Sequence, residues 1–234
     1  MKGLGPNDNL ERGSSVNGMT LPHLKAAAQD FAREFSTTSI ATLYGITDGK
    51  AVGTHVEHAF HEFLQGRYSY VPGSSASGLD FPELRVDLKV TSIRQPQSSC
   101  PFRSASEKVY GLGYDILVFI YEKVDDVASR TAKLSVRHAV FVAREQTGDY
   151  QTTYGLKEIL RRNGNRDDVI AFLQERNLPL DDIGRETLAD QILREPPELG
   201  YLTISNALQR RLQYRRVIEY AASGANEGIE DLLA

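Results

Sequence analysis

Residues 78–92 read GLDFPELRVDLKVTS and place an acid, Asp80, on a turn seven residues before an Asp-x-Lys sequence. Apolar and polar side chains alternate from Val86 to Val90, which predicts a strand. Successive side chains of a strand point to opposite faces, so Asp87 and Lys89 share one face, with Cα atoms roughly 6.5–7 Å apart. The stretch therefore predicts a strand with one apolar and one charged face, approached by an acid from the preceding turn.

These side chains suit a metal-dependent reaction. Two converging carboxylates favour a hard divalent cation such as Mg²⁺, which prefers oxygen ligands and keeps several waters. Asp80 and Asp87 are the candidate metal ligands. The Lys89 ammonium can orient or deprotonate a water and stabilise charge that develops on a phosphate. The alternative is an amphipathic edge strand whose Arg85, Asp87 and Lys89 form a solvated charged face.

The acid after a loop and the Asp-x-Lys strand resemble the PD-(D/E)xK nuclease superfamily, and within it the type II restriction endonucleases. The resemblance spans roughly residues 47–143, with Leu79 in place of the proline that precedes the acid in that pattern. It implies an α/β, restriction-endonuclease-like core with a mixed central β-sheet flanked by helices, and Mg²⁺-dependent hydrolysis of double-stranded DNA. Asp80 and Asp87 would bind the metal, and Lys89 would position and activate the attacking water. A homodimer on a palindromic site is expected, because a two-fold protein cuts both strands symmetrically.

A helix predicted from Thr47 or Asp48 to Leu64 offers a further acid. Members of the superfamily often supply one from the helix before the catalytic hairpin, and Glu57 and Glu62 lie at opposite margins of the buried face here. We favour Glu57, because Gly53 one turn earlier leaves room for the close approach of a backbone or a phosphate. The alternative is that Thr54 and Glu57 only form a capping box that starts a helix.

Polar side chains concentrate after the Asp-x-Lys strand. Residues 94–102 read RQPQSSCPF, a predicted loop whose side chains can donate to phosphates or base edges and whose prolines hold it partly extended. Although the net charge of the chain is −4, residues 85–108 contain five cationic and two acidic residues. The candidate DNA contacts are Arg94, Gln95, Gln97, Ser98, Arg103 and Lys108. A polar surface loop with no ligand is the alternative.

The rest of the first two-thirds of the chain alternates helical and strand patterns. Residues 1–20 are rich in Gly, Asn and Ser and are expected to be a flexible arm. A helix follows, with Thr20 as N-cap and Pro22 in the first turn, and runs to Phe35. The later predicted elements are a strand at Tyr68–Val71, a short helix from Ser104 or Ala105 to Tyr110, and strands at Ile116–Tyr121 and Leu134–Val142. This order predicts a mixed sheet flanked by helices, with residues 21–148 as the nuclease core.

Beyond Gly148 the pattern becomes helical, and residues 149–234 are expected to form a helical C-terminal subdomain for DNA contact or dimerisation. The predicted helices are Leu156–Arg162, Asp167–Glu175 and Ile204–Ala222. The last would carry a basic cluster made of Arg210, Arg211, Arg215 and Arg216. That helix could read DNA, form a dimer face, or only pack against the core with its arginines solvated.

Several other functional classes lack support. No run of eighteen apolar residues and no signal-peptide pattern occurs, so we expect a cytoplasmic protein without membrane contact. The single cysteine, Cys100, excludes an internal disulfide and a zinc cluster of several thiolates, and is expected to be a packing residue. His55, His58 and His61 lack a His-Glu-x-x-His arrangement, and no Gly-x-x-x-x-Gly-Lys loop indicates a nucleotide cofactor.

Two further functions stay open beside a restriction endonuclease. A structure-selective DNA repair or recombination nuclease of the same superfamily would use the same residues on a different substrate. A non-catalytic DNA-binding module would keep the fold without the chemistry, although the retention of Asp80, Asp87 and Lys89 disfavours it. The sequence does not specify the recognised bases, because readout depends on which side chains enter which groove.

Overall fold

The computed structural model describes residues 18–73, 78–101, 103–207, 209–224 and 228–234. Residues 1–17 of the predicted arm and residues 74–77 of the loop before Asp80 lie outside the described residues. The described α-helices are α1 (Leu21–Phe35), α2 (Gly49–Gln65), α3 (Glu107–Tyr110), α4 (Tyr150–Arg161), α5 (Arg166–Glu175), α6 (Asp182–Arg194) and α7 (Arg215–Ser223). The described strands are β1 (Ser39–Ile40), β2 (Val86–Ser92), β3 (Gln97–Pro101), β4 (Asp115–Asp126), β5 (Thr131–Val142), β6 (Thr203–Ile204), β7 (Gln209–Gln213) and β8 (Ile229–Asp231). Short 3-10 helices occur at Ala41–Leu43, Pro82–Leu84 and Arg144–Gln146.

The central sheet is mixed. Its order is β1-β5-β4-β2, with β8 also paired to β5. β2 and β4 are parallel, and the other pairs are antiparallel. From Ile116 to Ile120, β4 is buried on both faces, as a continuous apolar run requires. The predictions of a mixed α/β fold and of a mixed central sheet are thus confirmed.

Apolar clusters cover both faces of the central sheet. Leu117 and Phe119 of β4 face a cluster that includes the buried sides of α1 and α2. Ile116 and Val118, which alternate with them, face a second cluster built with β6, β7 and α7. Val109 of α3 packs into a third cluster with α4, α5 and α6. The central sheet is therefore a buried platform that holds β2 rigidly at one end of its strand order.

The first two helices begin where the sequence places them. The Thr20 side chain accepts a hydrogen bond from the His23 amide at the start of α1. Asp48 caps α2 in the same way. Because α2 begins at Gly49, residues 54–57 lie in its interior, and the interpretation of them as a capping box is wrong. Among the described residues, no helix is both long and apolar enough to span a membrane.

Two predicted segments before residue 110 differ from the structure. The predicted strand Tyr68–Val71 forms only a single bridge, between Ser69 and Gly18. The predicted loop at residues 94–102 contains β3, because Gln97–Pro101 pairs in register with β7. This partner lies more than a hundred residues away, so the local sequence does not reveal it.

The predicted helix Ile204–Ala222 is wrong over most of its length. β6 and β7 occupy its first half, and only Arg215–Ser223 is helical. β7 pairs with β3 and β6 in a second, three-stranded sheet. Its buried residues, Arg210 and Leu212, alternate with an exposed Arg211, which is the period of a strand and not of a helix.

The C-terminal region is therefore not helical throughout. It is helical in α4, α5, α6 and α7, and the sequence pattern does not predict α6. Beyond α6 it supplies two strands to the second sheet and β8 to the central sheet. The region thus completes both sheets.

Candidate active site

The backbone holds Asp80 against the middle of β2. The Asp80 Oδ2 accepts a hydrogen bond of 2.7 Å from the Leu88 amide. Phe81 and Val86 exchange backbone hydrogen bonds of 3.0 and 3.1 Å, which close the turn between the acid and the strand. Arg85 adopts the left-handed conformation at φ 56°, where the chain leaves the short 3-10 helix and enters β2. The turn therefore fixes the direction of the Asp80 carboxylate.

Asp87 and Lys89 share a face of β2, as the alternation predicts. The Lys89 Nζ lies 2.7 Å from the Asp87 Oδ2, and the two side chains are 21% and 8% exposed. β2 lies at the end of the strand order of the central sheet, yet this part of its polar face is turned away from solvent. The interpretation of a solvated charged face is therefore wrong for Asp87, although Arg85 is exposed.

The carboxyl groups of Asp80 and Asp87 lie beside the Lys89 ammonium. Burial raises the pKa of Asp87 to about 7, opposed by the Lys89 charge and reinforced by a hydrogen bond with the Asp80 carboxyl. Burial lowers the pKa of Lys89, but the Asp87 and Asp80 charges outweigh it and hold that pKa above its ordinary value. Burial therefore destabilises the negative charge of Asp87, and a bound cation would offset that effect.

α2 brings Glu57, and not Glu62, to the same place. Glu57, Asp80, Asp87 and Lys89 line one cavity of about 290 Å³. Burial raises the pKa of Glu57, and the Asp80 charge adds to the shift. Glu62 is exposed and is not among the residues that line this cavity. Glu57 is thus the acid of α2 that can reach a reactant bound there.

The carboxylates fit a hard divalent cation. Asp80 and Asp87 line the same cavity, and Mg²⁺ is commonly held by one or two carboxylates together with waters and substrate phosphates. Within the ranges that the structure describes, no group of three or more His, Cys, Asp or Glu side chains is arranged to hold a metal. A magnesium ion held here would take these two carboxylates as ligands, with waters and phosphate oxygens completing its coordination.

A cleft of about 910 Å³ opens beside the cavity and shares Glu57 and Lys89 with it. Its lining contains five cationic side chains and two acidic ones, in a chain whose net charge is −4. The cationic side chains are Lys50, Lys89, Arg94, Lys123 and Arg211. A locally positive channel in an acidic protein suits an extended polyanion.

The sequence matches a known family over most of its length. The family model of the type II restriction enzyme NspV covers residues 18–231. The chain belongs to the NspV family. The type II restriction enzyme NspV of Nostoc sp. (strain ATCC 29411 / PCC 7524) is 54% identical over 211 residues, which cover 90% of this chain and 95% of that protein. No solved structure matches the chain.

Membership of the NspV family makes the protein a sequence-specific restriction endonuclease, and therefore a DNA-binding hydrolase. The matched region, residues 18–231, contains both sheets, the cavity with Asp80 and Asp87, and the adjoining cleft. The similarity thus extends over the whole of the candidate site.

The structure places only some of the six candidate DNA contacts of this NspV-family enzyme in the cleft. Four of them line the cleft, namely Arg94, Gln95, Gln97 and Ser98. Arg103 is exposed but is not among the lining residues. Lys108 is only 3% exposed, and its Nζ donates a hydrogen bond of 2.7 Å to the Asn206 Oδ1. Because a duplex cannot reach a buried ammonium, the structure argues against Lys108 as a DNA contact.

Sequence reasoning missed the position of Arg211 in this NspV-family fold. Arg211 lines the cleft from β7, although the helical interpretation had grouped it with three other arginines of one helix. Lys50 of α2 and Lys123 of β4 line the cleft as well and were not singled out. The period of two along β7 appears only in the burial of its residues, because the sequence there, QRRLQ, has a single apolar side chain.

Two residues near the cavity serve packing. The His61 Nδ1 lies 2.8 Å from the Tyr70 hydroxyl, and the imidazole stacks on Phe81, the residue after Asp80. Cys100 is buried and lies 3.5 Å from the Tyr114 hydroxyl, as expected of a packing residue.

Proposed function

We propose that this NspV-family enzyme hydrolyses the phosphodiester bonds of double-stranded DNA at the cavity formed by Asp80, Asp87, Lys89 and Glu57. It would be a PD-(D/E)xK nuclease with a restriction-endonuclease-like core. One observation carries the proposal: side chains from a turn, from β2 and from α2 meet in one cavity at the edge of a positively charged cleft. Asp80 and Asp87 are the ligands for Mg²⁺. When bound, the ion polarises the scissile phosphate and lowers the pKa of a bound water.

The residues of the chain divide the remaining work. Lys89 stays charged and is fixed beside Asp87, so it can hold the attacking water and stabilise negative charge on the phosphate. Glu57, whose pKa is raised by burial, can accept a proton from that water. The Leu88 amide keeps Asp80 in place. Water forms the new P–O bond, and the bond to the 3′ oxygen breaks. The products are a 5′-phosphate and a 3′-hydroxyl that takes up a proton.

The substrate and the assembly follow from the need to cut two strands. Each chain has one such centre among its described residues, so two chains related by a two-fold axis would cut a palindromic site symmetrically. We therefore propose a homodimer. We also propose that it acts in the cytoplasm and needs no nucleotide cofactor. Family membership favours this restriction function over structure-selective repair, and the assembled cavity disfavours a non-catalytic module.

The proposal is tested by mapping cleavage. The purified protein is incubated with a long DNA of known sequence and Mg²⁺, and the fragment ends are sequenced. Discrete fragments with one common sequence at their ends and 5′-phosphates are expected. Cleavage that persists in excess chelator would overturn the metal site, and cuts that follow DNA structure instead of sequence would support the repair alternative.

A further inference from the structure

The second sheet presents a polar face to the cleft. Arg211 lies opposite Ser99, and Gln213 lies opposite Gln97, in the antiparallel register of β7 and β3. Directly opposed residues of an antiparallel pair point to the same side, so these four side chains form one surface, which we call the polar face of β3 and β7. Three of the four, Gln97, Ser99 and Arg211, line the same cleft as Lys89, and Gln213 is not a lining residue but lies directly opposite Gln97. The polar face therefore lies within reach of a molecule bound at the candidate active site.

Arg211 is oriented for recognition. It is exposed, and its Nη1 donates a hydrogen bond of 2.8 Å to the Ser99 Oγ. A guanidinium carries five donors in a rigid fork, so one bond orients it without exhausting its capacity. Gln213, the next outward residue on β7, is exposed too.

The polar face is fixed relative to the strand that carries Lys89. The Thr91 hydroxyl on β2 accepts a hydrogen bond of 3.0 Å from the Gln97 amide and lies 3.2 Å from the Gln95 carbonyl oxygen. The Tyr214 amide donates to the Pro96 carbonyl at 2.9 Å, which ties the end of β7 to the same connection. Both strands of the polar face are thus anchored at the connection that leaves β2, and a recognition element needs such rigidity.

A buried ion pair anchors β7 from its other side. The Arg210 side chain is fully buried, and its Nη1 lies 2.6 Å from the Glu107 Oε2. Its Nη2 donates to the Ser104 carbonyl at 2.8 Å. These bonds hold β7 down on α3, so Arg211 and Gln213 project outward from a strand that cannot easily shift.

We infer that the polar face of β3 and β7 enters the major groove of the substrate and reads base edges, with Arg211 contacting a guanine and Gln213 an adenine. This inference rests on the proposed function. The major groove, about 12 Å wide, admits a pair of strands, which lie about 4.8 Å apart. The third strand of this sheet, β6, adds only two residues, beside Leu212 and Gln213 of β7. Arginine pairs with guanine O6 and N7, and glutamine pairs with adenine N6 and N7, through two hydrogen bonds each.

The composition of the polar face favours bases over phosphates as its ligands. Its four side chains include one cation and three neutral groups that both donate and accept hydrogen bonds. Phosphate contacts need no acceptors, whereas base edges present donors as well as acceptors. Apart from Lys89 of the candidate active site, the other cations of the cleft lie on α2, β4 and the connection after β2, namely Lys50, Lys123 and Arg94. Those positions suit the sugar-phosphate backbone.

The test measures discrimination and not only rate. After the site of the wild-type enzyme is mapped, kcat/KM is measured on the mapped duplex and on every duplex with one base pair changed. Arg211→Ala should lower kcat/KM on the mapped site about 10- to 100-fold and abolish discrimination at one G·C position of each half-site, while other positions stay discriminated. Gln213→Ala should do the same at one A·T position. Arg211→Lys keeps the charge but loses the fork, so it should also lose discrimination at the G·C position.

The matched control is Arg137→Ala. Arg137 is also an exposed strand arginine bonded to a side chain of the neighbouring strand, Glu122, but it is not among the residues that line the cleft. This variant should keep wild-type discrimination. Equal losses on all duplexes in Arg211→Ala would identify a phosphate contact and overturn the inference, as would unchanged discrimination.

DNA binding measured in Ca²⁺ distinguishes a failure of this inference from a failure of the proposed function. If Asp87→Asn still cuts DNA, the proposed active site is wrong, whereas the base-specific effect of Arg211→Ala can still be measured by binding to the same duplexes. If Asp87→Asn is inactive and Arg211→Ala binds all duplexes in the wild-type order of affinity, the polar face does not read bases.

Discussion

β2 and β7 are short strands with charged side chains, but they direct those side chains differently. On β2, Asp87 and Lys89 point the same way and meet at 2.7 Å in a small cavity. On β7, two successive arginines point to opposite sides, so that Arg210 is buried against Glu107 while Arg211 lines the cleft. Converging charges on a strand build a reaction centre. Diverging charges anchor the strand on one side and leave a binding surface on the other.

The comparison is tested most strongly at Asp87. Asp87→Asn keeps the shape of the side chain but removes a charged metal ligand, so we expect turnover in Mg²⁺ to fall roughly 1,000-fold or more, and the enhancement of DNA affinity by Ca²⁺ to weaken. Single-turnover cleavage and equilibrium binding on the mapped duplex measure both. Asp182→Asn, on an exposed aspartate of α6, is the control and should match the wild type. Undiminished cleavage by Asp87→Asn would remove β2 from the chemistry.

Arg210 should contribute to the stability of the fold, whereas Asp87 contributes to cleavage. Arg210→Met leaves Glu107 buried without its cation, so we expect the free energy of unfolding to fall by about 3 kcal/mol. Urea denaturation followed by circular dichroism measures it. Arg211→Ala, on the exposed side of the same strand, should change it by less than about 0.5 kcal/mol. If the two variants are equally stable, the buried ion pair does not anchor β7.

Substitutions of the two acids of α2 test whether a residue outside β2 takes part in the reaction. Glu57→Gln removes a proton acceptor beside Asp80 and Lys89, and we expect the cleavage rate to fall about 100-fold with circular dichroism unchanged. Glu62→Gln is the matched control on the same helix and should cut at the wild-type rate. Loss of activity in Glu62→Gln with an active Glu57→Gln would contradict the position of α2.

The burial of Asp87 should be visible in the pH dependence of stability. Its folded pKa is raised to about 7 from a usual 3.8, so folding favours the protonated form. The stabilisation is complete below the unfolded pKa and is lost as pH rises towards 7. In chelator, from about pH 5 to 7, the free energy of unfolding of the wild type should therefore fall relative to Asp87→Asn by up to about 1.4 kcal/mol per pH unit. Urea titrations across this range measure the difference. Parallel curves would contradict the raised pKa.

The sequence predicts β2 well because its determinants are local. Alternation between Val86 and Val90 decides the face on which Asp87 and Lys89 lie, and the turn that presents Asp80 is closed by residues within the same stretch. The sequence predicts the role of Glu57 less well. Gly53 lines the cleft, but packing within the protein does not require a glycine there, because a Cβ would meet Val90 at an ordinary 3.9 Å. The rotation of α2 on the sheet decides which acid lines the cavity.

The second sheet could not be predicted in the same way. β3 and β7 are each five residues long and pair across more than a hundred residues of chain, so neither segment is a strand by its local pattern alone. The four arginines around Leu212 fit a solvated helix as well as a strand, and only the burial of Arg210 distinguishes the two. The prediction of Lys108 as a DNA contact is wrong for a related reason, since its ammonium bonds to Asn206, from a distant part of the chain.

The most direct test of the central claim, that β2 performs the chemistry, is to measure cleavage and affinity for Lys89→Ala on the same mapped duplex. Lys89 holds water and stabilises charge in our account, and it is not the main source of affinity, which the wider cleft supplies. We expect single-turnover cleavage in Mg²⁺ to be abolished, while the Kd in Ca²⁺ stays within about threefold of the wild type. Equal losses of cleavage and of affinity would show that Lys89 binds DNA and does not act on the water, and would contradict the account.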